Sequence, residues 1–393
     1  MNRTTVFLSL LATELLLSGA PPKNAQPNPP PPKLLREINL NQIIQERPGL
    51  LPADHSVRTL AFSPDEKWIA IAVGLHRREG KFKPGDFPFE SHVLILPIQE
   101  SPDHAIQLDP GAVSTEGDLA WSPNSYALLV QVGSLFNGSA NLYNLRGDAL
   151  WKLDHPKSKP WLAPWIVGFL DTEHLLAHHV LSNGSASGFD TMDLQGHVTD
   201  TWTTSKEWNG AVLNSDRHLL AVFSDQEQSK LLIVDYSSKK VFPIKSDPTW
   251  LYRDGNRSWR ISAYFAESGK TICTVGSAES RDTLPQCWAA DSGRKFAEYK
   301  RFPGGLPAAA SAHGSRIVLT QGWFIPRKKD SEKFSGGRVV WDFRSGREVA
   351  TLEAQGQSPD KYGIVHPAPI AISATVRYLA EGANGILRIY ELP

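Results

Sequence analysis

Two insertions combine cationic and aromatic side chains, the residue types that bind anionic or ring-bearing partners. Residues 74–91 read GLHRREGKFKPGDFPFES, and residues 321–337 read QGWFIPRKKDSEKFSGG. Arginine and lysine supply positive potential, while phenylalanine and tryptophan supply rigid contact area. Long loops with aromatic residues of their own are typical of binding loops. Solvated loops whose rings cap the neighbouring strands are the alternative.

Hydrolytic and phosphate-binding motifs are absent from the sequence. It contains no G-x-S-x-G elbow, no P-loop and no carboxylate pair that recurs at a fixed place. His174, His178 and His179 suggest a metal site, but successive strand residues point to opposite faces, so His178 and His179 diverge. His174 and His178 would share a face without an evident third ligand. We therefore predict no catalytic residue, no metal site and no cofactor.

The two cysteines, Cys273 and Cys287, stand in consecutive β-prone runs, KTICTV and QCWAAD. A hairpin of these runs would place the two cysteines almost opposite each other. A cross-strand disulfide is therefore geometrically possible, with two buried free thiols as the alternative. Two cysteines alone cannot build a zinc centre, and no C-x-x-C-H haem motif occurs.

The elements that must position these residues recur as a four-strand pattern in seven copies. The first strand of each copy is a short run of apolar or small residues, typical of a strand buried on both faces near a crowded axis. The runs begin at residues 59 (TLAFSP), 118 (DLAWSP), 165 (WIVGFL), 210 (GAVLNS), 261 (ISAYFA), 307 (PAAASA) and 369 (PIAISA). Turn residues separate each run from a second apolar run, which is a hairpin signal.

The fourth strands alternate polar and apolar residues, as strands with one face in water do. Six copies have such a strand, but the seventh copy ends at Pro393, directly after its third strand. Residues 33–40, KLLREINL, show the same alternation ahead of the first copy. We therefore predict that this segment completes the seventh copy and closes a ring, because closure protects the sheet edges.

With this pattern, the sequence resembles the WD40-like and YVTN-like β-propellers. Residues 62–65 (FSPD) and 121–124 (WSPN) match the bacterial repeat signature, and Trp341-Asp342 is an intact WD dipeptide. The resemblance covers about residues 33–393 and implies an all-β, seven-bladed propeller of four-stranded antiparallel blades. The blades would span about residues 57–110, 117–156, 164–205, 208–247, 258–303, 307–355 and 368–393.

In such a propeller, the connections between strands two and three share a face with the connections between blades. Both insertions belong to that face, on either side of blade seven, and the inter-blade connections add further rings. Packing between blades is the alternative role for many of the tryptophans, and we expect it for Trp68 and Trp341. The predicted ligand-binding residues are Arg77, Arg78, Lys81, Phe82, Phe87, Trp161, Trp250, Trp323, Phe324, Arg327, Lys328 and Tyr362.

The N-terminal segment predicts export. Residues 1–20 join Arg3 to the apolar stretch VFLSLLATELLLSGA and end in small residues, as a secretory signal peptide does. An uncleaved N-terminal membrane anchor is the alternative. Residues 21–32 are rich in proline and predict an extended linker. We therefore expect a secreted or periplasmic protein.

The charge composition limits the classes of partner that we expect the protein to bind. Lys plus Arg and Asp plus Glu number 41 each, so the chain lacks the basic footprint of a nucleic-acid-binding protein. The sequence favours an exported, non-enzymatic binding module for a protein, a peptide or an anionic polysaccharide. Contact with a membrane is expected only through an uncleaved N-terminal segment. The alternative function is that of a propeller enzyme, lactonase-like or quinoprotein-like, with its site at the central channel.

Overall fold

The structure, a computed structural model, describes residues 29–44, 54–76, 91–111, 119–132, 139–153, 165–180, 187–205, 208–224, 230–244, 252–253, 259–260, 263–274, 284–300, 306–320, 337–353 and 368–393. These residues form seven four-stranded antiparallel sheets and one two-stranded sheet. None of the helices among them is long and apolar enough to cross a membrane.

Each four-stranded sheet is one blade, and β1 (Lys33–Asn39) precedes the first of them. Blade one contains β2 (Asp54–Phe62), β3 (Trp68–His76), β4 (Ser91–Pro97) and β5 (Ile106–Gly111). Blade two contains β6 (Leu119–Trp121), β7 (Ala127–Val132), β8 (Ser139–Asn144) and β9 (Ala149–Leu153). Blade three contains β10 (Trp165–Phe169), β11 (His174–Val180), β12 (Ser187–Asp193) and β13 (Val198–Thr203). Blade four contains β14 (Asn209–Asn214), β15 (Leu219–Ser224), β16 (Lys230–Asp235) and β17 (Lys240–Pro243).

The remaining blades follow the same order. A hairpin that the sequence analysis did not predict, β18 (Tyr252–Arg253) and β19 (Trp259–Arg260), stands between blades four and five. Blade five contains β20 (Ala263–Ala266), β21 (Thr271–Thr274), β22 (Gln286–Ala289) and β23 (Lys295–Glu298). Blade six contains β24 (Leu306–Ala310), β25 (Arg316–Thr320), β26 (Gly337–Asp342) and β27 (Arg347–Glu353). Blade seven contains β28 (Ile370–Ile372), β29 (Tyr378–Ala383), β30 (Ile386–Glu391) and β1.

The ring is closed by β1, as predicted. This strand pairs antiparallel with β30, from Lys33 opposite Glu391 to Asn39 opposite Ile386. Directly after β1, the Leu40 N–H donates to the Gly385 carbonyl at 2.8 Å. The innermost strand of every blade contacts the innermost strands of both neighbouring blades, and β28 meets β2 at the closure. The fold is therefore a closed, seven-bladed β-propeller.

Serine hydroxyls organise several of the turns between first and second strands. Ser63 Oγ accepts a hydrogen bond from the Trp68 N–H at 3.0 Å and donates to Asp65 at 2.6 Å. Ser122 and Ser373 accept equivalent bonds from the first residues of β7 and β29, both at 2.9 Å. A side chain that satisfies turn N–H groups fixes the turn locally. The Ser-Pro pattern in the sequence therefore marks turns that a serine hydroxyl stabilises.

Bulges recur at the same place in four innermost strands. They separate Val57 from Thr59, Ile166 from Gly168, Asn209 from Ala211 and Pro307 from Ala309. A bulge adds one residue to a strand, disturbs the alternation of its side chains and increases its twist. The bulges therefore contribute to the twist of these blades near the central axis.

The core is divided among the blade interfaces. Seven clusters of buried apolar residues lie between neighbouring blades, one at each interface, including the interface that closes the ring. Middle strands are therefore buried on both faces, as their continuous apolar runs predict. Trp341 is 2% exposed in the cluster between blades five and six, as expected, and the half-buried Trp68 packs against the cluster between blades one and two.

Cys273 and Cys287 are opposed residues of β21 and β22, and their sulfurs form a disulfide of 2.04 Å. Both side chains are fully buried against blade six. Since the bond lies within one blade, it constrains a single hairpin whose ends are 14 residues apart.

Replacing both cysteines by alanine is expected to lower the free energy of unfolding by about 3 kcal/mol, the loop-entropy value for a loop of this length. Urea denaturation of the wild type and the double variant measures the difference. Reducing agent added to the native wild type should act slowly, because both sulfurs are buried. An equal stability of the two proteins would contradict the prediction.

Candidate functional site

The strands that bound the predicted ligand-binding segments all end on one face of the ring, which we call the insertion face. In blade one, β3 ends at His76 and β4 begins at Ser91; in blade six, β25 ends at Thr320 and β26 begins at Gly337. The inter-blade connections leave from the same side, because a fourth strand of an antiparallel blade runs in the same direction as the second. The opposite side, which we call the turn face, carries the turns between strands one and two and between strands three and four.

The insertion segments themselves lie outside the described residues. This holds for every predicted ligand-binding residue: Arg77, Arg78, Lys81, Phe82, Phe87, Trp161, Trp250, Trp323, Phe324, Arg327, Lys328 and Tyr362. Their grouping into one binding site therefore stays a prediction.

A buried ion pair stands at the root of the blade-six insertion. Arg338, the second residue of β26, places Nη1 2.9 Å from Glu381 Oε1 of β29, and the side chains are 0% and 1% exposed. Arg338 Nη2 also donates to the Ala368 carbonyl. Burial lowers the pKa of Arg338, while Glu381 opposes that shift. The pair therefore joins blade six to blade seven next to the point where the insertion ends and β26 begins.

A second ion pair continues this row outward across blade seven. Arg388 of β30 is the strand partner of both Glu381 and Glu37. Its Nε donates to Glu37 Oε2 at 2.8 Å. The row Glu381, Arg388 and Glu37 alternates in sign, so the closing strand is held by charge as well as by backbone hydrogen bonds.

Two of the three histidines of β11 are engaged in packing and local contacts. His178 is buried with its ring 4.9 Å from that of Phe189, facing blade four. His174 Nδ1 lies 3.0 Å from Asp171, within the turn that precedes β11. In the described part of the chain, no group of three or more His, Cys, Asp or Glu side chains is placed to hold a metal ion.

On the turn face, the turns between first and second strands are joined from blade to blade. The Asp65 N–H donates to Ser125 Oγ at 3.0 Å, and the Thr375 N–H donates to Glu66 at 2.6 Å. Further around the ring, Ser311 Oγ donates to the Ala374 carbonyl at 2.6 Å, and the Ser268 N–H donates to the Ala312 carbonyl at 2.6 Å. At these four interfaces, polar groups of the turns hold neighbouring blades together.

One cluster on the turn face has the residue types of a hydrolase. Ser268 Oγ lies 2.9 Å from His313 Nδ1, and Asp216 Oδ2 lies 3.5 Å from the same nitrogen. In a nucleophilic relay the hydroxyl and the carboxylate bind opposite nitrogens of the imidazole. Here the serine hydroxyl and the carboxylate lie near the same nitrogen, so the carboxylate does not orient the ring to accept the serine proton. The arrangement instead links the turns of blades four, five and six.

An ion pair between Arg344 and Glu267 also joins blades five and six, and it depends on pH. Arg344 donates to both oxygens of Glu267, at 2.7 and 2.6 Å, and Thr271 donates to one of them. Burial raises the pKa of Glu267, but the hydrogen bonds from Arg344 and Thr271 outweigh it and hold the pKa below its usual value. A carboxylate with a depressed pKa in the folded state stabilises the protein above its unfolded pKa, and this contribution is lost as the pH falls through the folded value.

Arg344→Met is expected to lower the free energy of unfolding by about 0.5–1 kcal/mol at neutral pH, because the pair is partly exposed. The difference from the wild type should shrink on acidification below about pH 4.3, the ordinary value for Glu in an unfolded chain. Urea denaturation at a series of pH values measures both curves. A difference that stays constant with pH would show that the contact acts through packing alone.

The chain is similar in structure to two solved proteins. An oligogalacturonate lyase in complex with manganese superposes with a TM-score of 0.57 and 12% sequence identity, covering 87% of this chain and 90% of that chain. The Swd1 (Cps50) β-propeller domain of Myceliophteria thermophila superposes with a TM-score of 0.53 and 14% identity, covering 86% of this chain and 100% of that chain. No protein-family model and no curated protein sequence matches the chain. These likenesses show the propeller fold alone.

The contacts that join the blades were missed by sequence reasoning. Arg338 is the only charged residue in the interior of the run GRVVWD, and a charge inside a buried third strand was a signal for a buried partner. Ser268, His313 and Asp216 carry no such signal, since they come from three different turns. Their meeting depends on how far each blade is rotated against the next.

Proposed function

We propose that the protein is a binding module that captures an anionic partner, a peptide or protein segment or a polysaccharide, on the insertion face. The observation that carries the proposal is that the two long insertions, and the connections between blades that contain the other predicted residues, begin and end at blade strands on one side of a closed ring. A rigid scaffold that presents loops on one face is a common arrangement for binding. On the opposite face, polar groups of the turns are engaged between blades at four interfaces, which leaves them less available to a ligand.

The charge of the two long insertions indicates the class of partner. Residues 77–90 carry four Lys or Arg and three Asp or Glu. Residues 321–336 carry four Lys or Arg and two Asp or Glu. The Arg338–Glu381 pair fixes β26, the strand into which the second insertion leads. A cationic, aromatic surface on a fixed base suits carboxylate-bearing chains, which bind through charge at first encounter and through ring contacts afterwards.

A binding measurement with two probes tests the proposal. Fluorescent poly-glutamate represents an acidic peptide, and labelled polygalacturonate represents an anionic polysaccharide. Arg77→Ala/Arg78→Ala/Lys81→Ala is expected to weaken binding of the preferred probe by about tenfold, or about 1.4 kcal/mol. The matched control removes the same charge from the turn face, by Arg146→Ala/Lys270→Ala/Arg294→Ala, and should leave affinity unchanged. Equal losses in both triple variants, or no binding of either probe by the wild type, would contradict the proposal.

An enzyme at the central channel is the second candidate, favoured by the structural similarity to an oligogalacturonate lyase. A propeller fold does not choose between binding and catalysis. The polygalacturonate probe separates the two functions, since a lyase shortens the polymer and creates an unsaturated sugar end that absorbs ultraviolet light. Time-dependent product in the presence of manganese would support the enzyme, while stable binding without product supports the module.

We also propose an oxidising, extracytoplasmic location. The apolar segment at residues 1–20 and the buried disulfide support it, because stable disulfides belong mainly to exported proteins. Mass spectrometry of the protein recovered from its own cells, after separation of cytoplasm and exterior, tests the location and any cleavage near Ala20.

A further inference from the structure

Lys239 occupies a backbone position that glycine occupies in blades five and six. In each of these three blades the position is the fourth residue after the end of the third strand. The residue there is left-handed in all three: Lys239 at φ 57°, Gly293 at φ 61° and Gly346 at φ 70°. A side chain at Gly346 would meet nothing within 4 Å, so conformation rather than space favours glycine there. In blade four a lysine stands at this position, although the left-handed conformation is unfavourable for a residue with a side chain.

The ammonium group of Lys239 lies between two aromatic rings. Its Nζ is 3.4 Å from the centre of the Tyr236 ring and 5.1 Å from the centre of the Trp202 ring. The nearest carboxylate oxygen, on Asp200, is 3.9 Å away, beyond hydrogen-bond length. Burial lowers the pKa of Lys239, and Asp200 opposes the shift. The cation is therefore held mainly by ring faces, with a carboxylate at the side.

The two rings are fixed independently of the lysine. Trp202 of β13 stacks on Phe189 at 5.5 Å and meets the buried Trp208 edge-on at 5.4 Å. Tyr236 is 4% exposed, and its hydroxyl is 2.9 Å from Thr191 Oγ1. Removing the lysine side chain should leave the rings in place, because none of these contacts involves it. The groove is thus a preorganised site for a cation.

A similar cation–ring contact between blades five and six is not held mainly by aromatic rings. Arg344 lies 4.5 Å from the Phe296 ring, but Glu267 binds its guanidinium through two short hydrogen bonds. That cation is bound by a carboxylate and serves to join two blades. Between blades three and four the Tyr236 ring, at 3.4 Å, lies closer to the cation than the Asp200 oxygen does at 3.9 Å. A cation that rests on a ring face without a short hydrogen bond is an arrangement that also suits a cation without N–H donors.

We propose that the groove formed by Trp202, Tyr236 and Asp200, at the outer edge between blades three and four, binds a quaternary ammonium group, and that Lys239 fills the groove in the free protein. A quaternary ammonium is more weakly hydrated than a primary one and makes no use of hydrogen-bond acceptors, so aromatic faces are suited to it. Displacement of Lys239 then lets the ligand enter. The site is separate from the insertion face and does not depend on the function proposed for that face.

Choline is the probe, and the neutral carbon isostere of choline is its control. Indole N–H resonances of the full chain, with that of Trp202 assigned through Trp202→Leu, report binding in NMR titrations. Lys239→Gly restores the residue of the neighbouring blades and should bind choline about tenfold more tightly than the wild type, since the competing side chain is gone. The double variant Lys239→Gly/Trp202→Leu should not bind, and the neutral isostere should bind none of the proteins.

Lys239→Asn, which tolerates the left-handed conformation, provides a second test if the glycine variant fails to fold. Choline binding by Lys239→Gly or Lys239→Asn that is no tighter than that of the wild type would overturn the proposal. Equal binding of choline and its neutral isostere would overturn it as well, because the groove would then be an apolar slot that Lys239 merely covers. A peptide bearing trimethyllysine, titrated in parallel, distinguishes a ligand carried on a protein from a free small molecule.

Discussion

Arg338→Met is expected to lower the free energy of unfolding by about 3–5 kcal/mol, because it removes the cation that lies 2.9 Å from the buried Glu381 carboxylate. The Arg338 and Glu381 side chains are 0% and 1% exposed, so water cannot replace the lost partner. The substitution also removes the donor to the Ala368 carbonyl. Urea denaturation followed by circular dichroism measures the loss.

Two further variants identify the cause of that loss. Arg388→Met removes a cation from the neighbouring pair with Glu37, whose side chains are 18% and 50% exposed, and should cost at most about 1 kcal/mol. The double variant Arg338→Met/Glu381→Leu replaces the buried pair by apolar groups and should recover most of the stability. A loss for Arg338→Met no larger than that for Arg388→Met, or no recovery in the double variant, would show that the buried charge is not the cause.

Leu40→Ala is expected to lower the free energy of unfolding by about 2–5 kcal/mol, the range for removing a fully buried leucine side chain. Leu40 is 0% exposed in the cluster between blades seven and one, next to Ile38 and Ile44. The residue follows the strand that completes blade seven, so its burial depends on ring closure. The loss should appear in the stability of the whole propeller, since opening one interface exposes two blades.

Leu34→Ala is the matched control for ring closure. Leu34 is on β1 itself but is 48% exposed, so its replacement should change stability by no more than about 0.5 kcal/mol. Both variants remove the same atoms within seven residues of each other, and burial is the main difference between them. Equal effects of the two substitutions would mean that β1 contributes to the fold only through its backbone hydrogen bonds.

These results would also bear on the insertion face. Both Arg338 and Leu40 hold blade seven, which stands between the blades that carry the two long insertions. A propeller loosened at either place keeps the sequence of its insertions but loses the fixed separation of the strands to which they are attached. Binding assays on folded variants of intermediate stability therefore connect the energetics of ring closure to the proposed capture of an anionic partner.

The sequence by itself determined the number of copies, the order of strands within a blade and the closure of the ring by residues 33–40. It also placed Cys273 and Cys287 opposite each other. The strand order and the placement of the cysteines follow from patterns local to one hairpin: a period of two residues along each strand and turn residues between strands. Ring closure follows from comparing the copies, because the seventh lacks the fourth strand that residues 33–40 resemble. Such patterns specify which residues pair within a blade without reference to the other blades.

Only the tertiary structure decided which side chains meet across blades. Arg338 and Glu381, Lys239 and Trp202, and the cluster of Ser268, His313 and Asp216 all join different blades. The alternation along a strand divides its side chains between two faces, but it does not tell which neighbouring blade each face contacts. One bulge reverses that alternation, and several strands contain one. Contacts between blades depend on the accumulated twist and rotation of whole sheets, which no local sequence pattern records.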